Sequence, residues 1–376
     1  MEPLLPQPGS PIDPRNAVGR AATTARARAE LLGANNLGLT DPRRMGKTVW
    51  LDLFCAGPGD GLAAVKIDYE GVRTSDEFLL RTVTVLGAYR SLPRQASAKL
   101  KALFDGVGVE APGLIKVNVG VSTRTATDLL AETVRSVDDH LGPDDAVLVI
   151  AMDEVPLAIG NIAGNEGPEA ANQLLQALRG LRRRGSRLRW IVCGSIGFHH
   201  VLRRCGATEG VLNDLVNLPL GPLEPADATQ LAQRLFLGIG RPADEAAVDA
   251  LVDRSGRIPY LIHALAHRLH DAGTGSVTAA DVGQAFAGFM DDRDGSRAVT
   301  HLLTRLDPLY GARARAAERI LDRVAMDVSL DTAGLEANGN LLDDLVDDHY
   351  LVERDRRMSW RYDVLRQIWV HRRRLG

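Results

Sequence analysis

The chain has 376 residues, with 45% hydrophobic and 25% charged residues, which is typical of a soluble globular protein with two or three domains. Its formal net charge is −3 at pH 7, so overall charge gives no reason to expect nucleic-acid or membrane binding. No apolar run of about 18 residues is present, and the sequence therefore predicts no membrane-spanning segment and no membrane partner.

The N-terminal stretch MEPLLPQPGSPIDPR has neither a basic region nor a sustained apolar run, so it does not resemble a signal peptide. Because it is rich in proline, residues 1–14 are predicted to be a flexible lead-in. The three cysteines, Cys55, Cys193 and Cys205, are odd in number and lack metal-site spacing. This cysteine usage predicts a reduced, cytoplasmic setting.

Predicted strands alternate with predicted helices from residue 15 to residue 223. The strands are NNLGLT (35–40), AAVKIDY (63–69), one or two within 93–125, DDAVLVIAMDEVP (144–156), RLRWIVCGSIGF (187–198) and VNLPLGPL (216–223). A continuous apolar run such as VLVIAM is typical of a strand buried on both faces. The alternation predicts a three-layer α/β core with a mainly parallel sheet.

After Leu223 the pattern becomes helix upon helix. Four amphipathic segments with clear caps or breakers predict a helical lid over 224–295. The last part, 296–376, predicts a helix (ARARAAERILDRVA), two shorter helices (TAGLEA and NLLDDLVDDHYL), two strands around a charged turn (LVERDRRMSWRYD) and a closing helix (VLRQIWVHRRR). Helix, helix, helix and hairpin is the order of a winged-helix domain.

The triplet GKT at 46–48 marks a candidate phosphate-binding loop. It follows a predicted strand and begins a predicted helix, where backbone N–H groups at the helix N-terminus bind phosphate. Lys47 would reach the β- and γ-phosphates, and the Thr48 hydroxyl would bind Mg²⁺. Lysine is scarce in this chain, which gives the match weight against the alternative of an ordinary turn.

Three more segments carry candidate site residues. Asp153 and Glu154 end the most apolar strand, where they would hold the metal and polarise the attacking water. Ser195, at the tip of the following strand, either senses the γ-phosphate or belongs to a Gly-Ser turn. In SGRIPY (255–260), Pro259 would lie against the base and Arg257 near the phosphates, unless the proline only starts a helix.

Together, AVGRA (17–21), DPRRMGKT (41–48), VIAMDEVP (149–156), CGSIG (193–197) and GRIPY (256–260) resemble the archaeal-type ATPases of the AAA+/STAND superclass of P-loop NTPases. The resemblance covers roughly residues 15–290. It implies an ATPase core (15–223), a helical lid (224–295) and a winged-helix domain (296–376), with ATP or ADP and Mg²⁺ as ligands. It also implies a prokaryotic defence or mobile-element setting.

By the same resemblance, an adenine would lie near Val18, Gly19 and Arg20. The phosphates would lie near the loop, whose residues are Asp41, Pro42, Arg43, Arg44, Met45, Gly46, Lys47, Thr48 and Val49. Two departures stand out, since Asp41 replaces the loop's first glycine and Val49–Trp50 replaces a small pair. A carboxylate about 8 Å from a phosphate charge costs about 2 kcal/mol at an effective dielectric near 20. We therefore expect weakened ATP binding, and Asp41→Gly to tighten it about tenfold.

Other charged clusters leave alternatives open. The run LRRRGSRLR (181–189) is a solvated helix end or an arginine finger for a neighbouring subunit, with Arg203 and Arg204 as rivals. The histidines His199, His200, His263, His267 and His270 lack convergent metal ligands and are predicted to be structural or solvated. The predicted recognition helix carries four acids that oppose DNA binding, Asp343, Asp344, Asp347 and Asp348. The wing and tail are basic instead, with Arg354, Arg356, Arg357, Arg361, Arg372, Arg373 and Arg374.

Three functions fit these features. The first is an ATP-dependent switch with slow hydrolysis that controls a protein partner or its own assembly. The second is an initiator- or transposition-regulator-like ATPase that binds DNA through the wing or the arginine tail. The third is a scaffold with a degenerate loop. No nuclease, protease or TIR-like pattern is visible, so any output is expected to come through a separate partner.

Overall fold

The computed structural model describes residues 1–10, 12–13, 16–87, 126–184, 187–195, 197–292, 305–327, 330–331 and 340–375. The strands predicted within 93–125 and the short helix TAGLEA lie outside the described residues. The chain divides into two compact units. The sheet unit comprises residues 22–40 and 51–218, and the helical unit comprises residues 1–21, 41–50 and 219–376.

A parallel sheet is the centre of the sheet unit. Its strands are β1 (Asn36–Leu39), β2 (Leu62–Asp68), β3 (Val147–Asp153), β4 (Leu188–Cys193) and β5 (Leu215–Asn217). They form a five-stranded sheet in the order β2-β3-β4-β1-β5, with every neighbouring pair parallel. Parallel strands need crossover helices, which the chain supplies between them. The predicted α/β core with a parallel sheet is therefore confirmed.

Helices connect the strands. They are α1 (Ala21–Leu32), α2 (Lys47–Ala56), α3 (Ser75–Gly87), α4 (Ala126–Asp138), α5 (Val155–Asn165), α6 (Pro168–Arg182) and α7 (Phe198–Cys205). The proline at the first position of α6 costs no hydrogen bond, because the first N–H groups of a helix have no partner within it. The unit boundary passes through α2 after Trp50.

The apolar runs of the sequence fill the core of the sheet unit. Every residue of β3 after its first, Val147, is buried. The rings of Tyr69 and Phe78 stack with their centroids 4.0 Å apart, and the Tyr69 hydroxyl bonds the Thr82 hydroxyl at 2.7 Å. Fully burying one such large side chain stabilises the fold by roughly 2 kcal/mol. The buried strand β3 thus holds its carboxyl-terminal residue, Asp153, in a fixed place.

The helical unit contains the predicted lid helices α8 (Pro225–Gly238), α9 (Glu245–Arg254), α10 (Pro259–Asp271) and α11 (Ala279–Asp291). The Asp244 side chain caps α9 by accepting a hydrogen bond from Ala247 N–H. Thr278 and Asp281 form a capping box at the start of α11. None of the helices in the described part of the chain combines the length and apolar character needed to cross a bilayer.

The C-terminal segment, which comprises the described residues from 305 to 375, follows the lid helices. Its elements are α12 (Leu306–Tyr310), α13 (Ala314–Asp327), β6 (Leu330–Asp331), α14 (Asn340–Asp347), β7 (Leu351–Arg354), β8 (Arg357–Trp360) and α15 (Asp363–Arg373). The strands form an antiparallel sheet in the order β6-β8-β7. Asp355 and Arg356, both with positive φ, make the tight turn of the β7–β8 hairpin. The winged-helix assignment stays a prediction.

One hydrophobic cluster runs through the lid helices and the C-terminal segment. The indole rings of Trp360 and Trp369 lie 5.3 Å apart within it. At the turn before α10, a Cβ on Gly256 would come within 2.8 Å of the Val364 side chain on α15. Close packing of this kind transmits strain, so the lid helices and the C-terminal segment respond together to a local change.

The N-terminal residues pack on the lid helices rather than extending as a free lead-in. Leu4 is 5% exposed, and its N–H donates to the carbonyl of Arg234 on α8 at 2.9 Å. Its carbonyl lies so close to Gly238 that a Cβ there would collide with it. Gln7 N–H donates to Nδ1 of His263 on α10 at 3.2 Å. A buried leucine and partnered N–H groups fix this segment, which its proline content alone did not indicate.

His263 gives the helical unit a pH-dependent stability. Burial lowers the pKa of its imidazole from 6.5 to about 4. Between these values the folded protein binds fewer protons than the unfolded chain, so the free energy of unfolding falls as the pH drops. We expect a loss of about 3 kcal/mol in total between about pH 6.5 and about pH 4. Urea denaturation across this range measures it.

Two variants test this assignment. In His263→Gln, an amide oxygen still accepts from Gln7 N–H but does not titrate, so the pH dependence should shrink. His267→Gln is the matched control, because His267 has a 49% exposed side chain and pairs only with Asp271. An unchanged slope in His263→Gln would show that the dependence has another source.

Candidate nucleotide-binding site

The loop 41–46 leads from the end of β1 to the start of α2. Arg44 and Gly46 have φ values of 77° and 86°, which turn the chain sharply before Lys47. Lys47 is the first residue of α2, and the exposed Thr48 is the second. Trp50 is 1% exposed and donates its N–H to the Gly46 carbonyl at 2.9 Å. The predicted order of strand, loop and helix is thus present, and α2 begins directly after the loop, where backbone N–H groups of a helix N-terminus favour an anion.

The Lys47 ammonium is turned into the loop. The residue is 7% exposed, and its Nζ donates to the carbonyls of Asp41 and Pro42, the latter at 2.8 Å. These carbonyls are neutral acceptors. Because a phosphate oxygen is a charged acceptor, it makes a shorter and stronger hydrogen bond to an ammonium group than they do.

The Asp41 carboxylate has partners that sequence reasoning did not anticipate. It is 3% exposed, and its two oxygens accept from Leu220 N–H at 2.7 Å and Gly221 N–H at 2.9 Å. Backbone N–H groups offset the negative charge of a carboxylate that accepts from them. These bonds give the Asp41 carboxylate a structural role at residues 220–221, and the weakening of ATP binding that the sequence predicts for it stays a prediction.

Arg20 binds main-chain carbonyls at the loop and at residues 220–222. Its guanidinium donates to the carbonyls of Met45 (2.9 Å), Gly221 (2.8 Å) and Pro222 (3.1 Å), and to that of Leu220. Burial lowers the pKa of Arg20 to about 10, and nearby acids, Asp41 first among them, oppose this shift. Arg20 is thus still charged at neutral pH, and its guanidinium connects the loop to residues 220–222.

Val18 and Gly19 precede Arg20 and have packing roles. Val18 is partly buried against the hydrophobic cluster of the helical unit. Gly19, with φ of 80°, lies so close to Asp227 of α8 that a side chain at position 19 would collide with it. Residues 18–20 therefore connect the lid helices to the loop, and an adenine nearby remains a prediction.

The start of α10 lies beside the loop. The Arg44 guanidinium is 4.6 Å from the centre of the Tyr260 ring, which is a cation–π distance. A Cβ on Gly46 would lie 4.0 Å from Pro259, the first residue of α10. Pro259 is thus both a helix start and a neighbour of the loop. Arg257 has φ of 59°, and its carbonyl accepts from Leu223 N–H at 2.9 Å.

Two residues of the C-terminal segment also lie near the loop, and sequence reasoning missed both. Burial lowers the pKa of His349, and the charges of Asp41 and Lys47 act on it in opposite directions. Burial and the charge of Asp41 raise the pKa of Tyr362, while Arg361 and Arg20 lower it. Both residues lie far from the loop in sequence, so no sequence pattern indicated that they are near it. The positive φ of His349 is visible only in the structure.

The sheet unit holds the second group of predicted residues. Strands β1, β3 and β4 are parallel neighbours in the sheet, so their carboxyl ends share one edge. Asp153 ends β3 and is 3% exposed. Glu154 follows it with φ of 55° and accepts at Oε2 from the Ser195 hydroxyl at 2.9 Å and from Ser195 N–H at 3.3 Å. Ser195 is thus a hydrogen-bond partner of Glu154.

A glycine and a proline set the distance between these residues. Gly194 precedes Ser195, and a Cβ on it would collide with the ring of Pro156 in the first turn of α5. Because Pro156 follows Glu154 by two residues, this close approach brings Ser195 to the Glu154 carboxylate. Position 194 therefore requires glycine, and the motif CGSIG alone does not indicate the reason.

Lys66 is a further neighbour of Asp153 that sequence reasoning missed. Its Nζ lies 2.6 Å from Asp52 Oδ1 and 3.9 Å from Asp153 Oδ2. Lys66 precedes the end of β2, and Lys66 and Asp153 lie on adjacent paired strands. A divalent cation bound by Asp153 would compete with this ammonium charge for the same carboxylate.

Each unit carries donors of the kind that a nucleoside triphosphate with Mg²⁺ requires. In the helical unit, Lys47, Arg43 and Arg44 supply positive charge, and α2 supplies N–H groups at its start. Thr48 in the helical unit and Asp153 in the sheet unit each carry an oxygen of the kind that Mg²⁺ prefers. Glu154, oriented by Ser195, can accept a proton from water. The Asp41 carboxylate, which the sequence predicts to weaken binding, accepts hydrogen bonds from backbone N–H groups.

The structure reduces the number of arginines that are candidates for an arginine finger. Arg182 is buried and makes a bidentate ion pair with Asp214, at 2.7 and 3.0 Å. Arg187 donates to the Asp145 carbonyl, and Arg189 to the Leu31 carbonyl at 3.2 Å. These arginines stabilise the sheet unit. Within 181–189, the exposed arginines are Arg183 and Arg184, and the rivals Arg203 and Arg204 are also exposed.

The fold is that of known ATPases. Neither a protein-family model nor a curated protein matches the sequence. Among solved structures, the Walker-type ATPase PABY2304 of Pyrococcus abyssi superposes with a TM-score of 0.61 at 16% identity, over 94% of this chain and 96% of that one. The ORC2 protein of Aeropyrum pernix, in complexes with ADPNP and ADP, superposes with a TM-score of 0.53 at 13% identity, over 96% of this chain and 97% of that one. The three-layer α/β core that the sequence resemblance predicts is confirmed, and the winged-helix domain stays a prediction.

Proposed function

Because the chain has the fold of these ATPases, we propose that it is an archaeal-type AAA+/STAND P-loop ATPase that works as a conformational switch. It binds ATP with Mg²⁺, hydrolyses it slowly and acts on a protein partner or on its own assembly. One observation carries the switch role: the loop 41–50 belongs to the same compact unit as the lid helices and the C-terminal segment. What binds to the loop therefore acts first on those elements. A cytoplasmic setting, which the cysteine usage of the sequence predicts, is part of the proposal.

The switch begins at Lys47. In the structure, its ammonium donates to the carbonyls of Asp41 and Pro42. A phosphate offers it a charged acceptor, which favours a loop conformation in which Lys47 leaves those carbonyls. The loop is bonded through Arg20 and Asp41 to residues 220–222, which lead into α8. A ligand with different affinity for two such conformations shifts the balance between them.

Hydrolysis depends on the carboxylates at the end of β3. Asp153 would hold Mg²⁺, and Glu154 would accept a proton from the attacking water. Ser195 occupies one oxygen of Glu154 and so fixes its direction. The metal, when bound, supplies charge neutralisation for the phosphates. Slow turnover is part of the proposal, since a trans-acting arginine from a neighbour would complete the site.

Replacing Lys47 tests nucleotide binding. In Lys47→Ala the loop loses its buried cation, and we expect the rise in melting temperature that ATP and Mg²⁺ cause in the wild type to disappear. Binding stabilises a protein by about 2.7 kcal/mol at a ligand concentration one hundred times Kd. Differential scanning fluorimetry at millimolar ATP measures the shift. Arg319→Ala, an equal loss of charge at an exposed site on α13, is the control. No shift in the wild type would favour the scaffold with a degenerate loop.

Replacing Glu154 tests the assignment of the base. Glu154→Gln keeps the size of the side chain and an acceptor for Ser195, but it cannot take a proton at neutral pH. We expect ATP affinity within about twofold of wild type and a hydrolysis rate lower by about 10² or more. Phosphate release under single-turnover conditions measures the rate. Hydrolysis at the parental rate would show that Glu154 is not the base.

DNA binding is a second candidate function, and one observation favours it. Two of the four acids of the predicted recognition helix have partners within the protein. Asp344 on α14 is buried and pairs with Arg313 at 2.8 Å, and Asp348, just after α14, accepts from the Tyr310 hydroxyl at 2.6 Å. The predicted opposition of this helix to a phosphate backbone is therefore weaker than the sequence suggests. The exposed arginines at the β7–β8 turn could contact phosphates, as in an initiator- or transposition-regulator-like ATPase.

Fluorescence anisotropy with duplex DNA at low and moderate salt tests this candidate. Three simultaneous changes at the turn, Arg354→Ala, Arg356→Ala and Arg357→Ala, should weaken binding at least about tenfold and reduce its salt dependence. The matched control removes three exposed arginines outside the C-terminal segment, Arg73, Arg183 and Arg184. No binding by the wild type at low salt would exclude this candidate for duplex DNA.

A further inference from the structure

Asp41 stands at the position where the resembled ATPases carry glycine, and its side chain makes bonds that glycine cannot make. Both carboxylate oxygens accept backbone N–H groups, from Leu220 at 2.7 Å and from Gly221 at 2.9 Å. The carboxylate is 3% exposed, so water does not replace these partners readily. Without the carboxylate, these N–H groups would lose their acceptors.

Arg20 holds the same short segment from its carbonyl side. Its guanidinium donates to the carbonyls of Leu220, Gly221 and Pro222, and also to that of Met45 in the loop. We call Asp41, Arg20 and residues 220–222 the clasp. In the clasp, the Asp41 carboxylate accepts from the N–H groups of residues 220 and 221. The Arg20 guanidinium, which is also bonded to the loop, donates to the carbonyls of residues 220–222.

The charges in the clasp depend on each other. Arg20 is half-buried, and the charge of Asp41 is the largest of the influences that favour its charged form. Both side chains bind residues 220–222, Asp41 through their N–H groups and Arg20 through their carbonyls. Loosening Asp41 therefore removes one of the two attachments of this segment and weakens the support for the charge of Arg20.

Asp41 is also the residue that touches Lys47. Its main-chain carbonyl accepts from Lys47 Nζ, while its side chain binds residues 220–221. One residue thus joins the cation that would meet the phosphate to the segment that leads into α8. A shift of Lys47 away from the Asp41 carbonyl acts directly on the residue that holds Leu220 and Gly221.

We propose that Asp41 is a positioning residue that couples phosphate binding at the loop to the entry of the lid helices through the clasp. This inference rests on the proposed nucleotide binding. It reverses the effect that the sequence predicts for Asp41→Gly: without the carboxylate the loop loses its attachment to residues 220–222, and ATP binds less tightly.

Hydrogen–deuterium exchange and nucleotide titration on the full chain test the proposal. In Asp41→Asn, the amide can accept one of the two N–H groups but its own NH₂ faces the other. We expect exchange at Leu220 and Gly221 to become at least about tenfold faster, because these amides lose their carboxylate acceptors. We expect ATP affinity to fall about tenfold, and ATP-induced protection of α8 to disappear. Asp41→Gly should show the same effects more strongly.

Asp60→Asn is the matched control, since Asp60 is an exposed carboxylate in a turn of the sheet unit. Equal melting temperatures for Asp41→Asn and the wild type within a few degrees show that both are folded, and ATP-induced protection of α8 is a readout that a merely structural role would leave intact. Unchanged exchange at 220–221, or ATP affinity equal to or above wild type, overturns the proposal.

The two hypotheses fail differently. If the wild type binds no ATP, the proposed function is overturned, and with it the coupling role, whatever the exchange at 220–221 shows. If the wild type binds ATP and Asp41→Asn binds it equally well with normal protection of α8, only the coupling role is overturned.

Discussion

A buried carboxylate must find hydrogen-bond donors, and the way in which Asp41 satisfies this constraint shapes the helical unit. Its donors are the main-chain N–H groups of residues 220 and 221 rather than a ligand or a solvent molecule. Arg20 completes the arrangement by taking the carbonyls of the same residues. The loop, the residues before α8 and the segment around Arg20 are therefore held as one piece. The Lys47 ammonium is bonded to this piece at its edge.

The C-terminal segment belongs to the same structure for a different reason. A single hydrophobic cluster extends from the lid helices to Trp360 and Trp369, so these elements are packed without an intervening polar layer. His349 and Tyr362 bring titratable groups from this segment into the field of Asp41. Charge at the loop is thus felt by side chains more than 300 positions away in sequence.

The sequence predicts the fold well, because the apolar runs and their breakers determine the strands and helices locally. The parallel sheet, the lid helices, and the placement of Lys47, Asp153 and Glu154 follow from such patterns. What it could not predict are bonds between residues far apart in the chain. Nothing in DPRRMGKT indicates that Asp41 binds residues 220–221, and nothing in NLLDDLVDDHYL indicates that Asp344 pairs with Arg313. In both places the sequence pattern suggested a carboxylate that faces solvent, because its partner lies far away in the chain.

The four tryptophans of the chain are distributed in a way that suits spectroscopy. Trp50 lies just beyond the phosphate loop, Trp190 lies within β4, and Trp360 and Trp369 form a pair in the C-terminal segment. Trp50, Trp190 and the pair of Trp360 and Trp369 therefore report on three different parts of the molecule. With the other three tryptophans replaced by phenylalanine, the fluorescence emission of Trp50 reports on the loop alone. The chain thus provides its own optical probe of the loop 41–46.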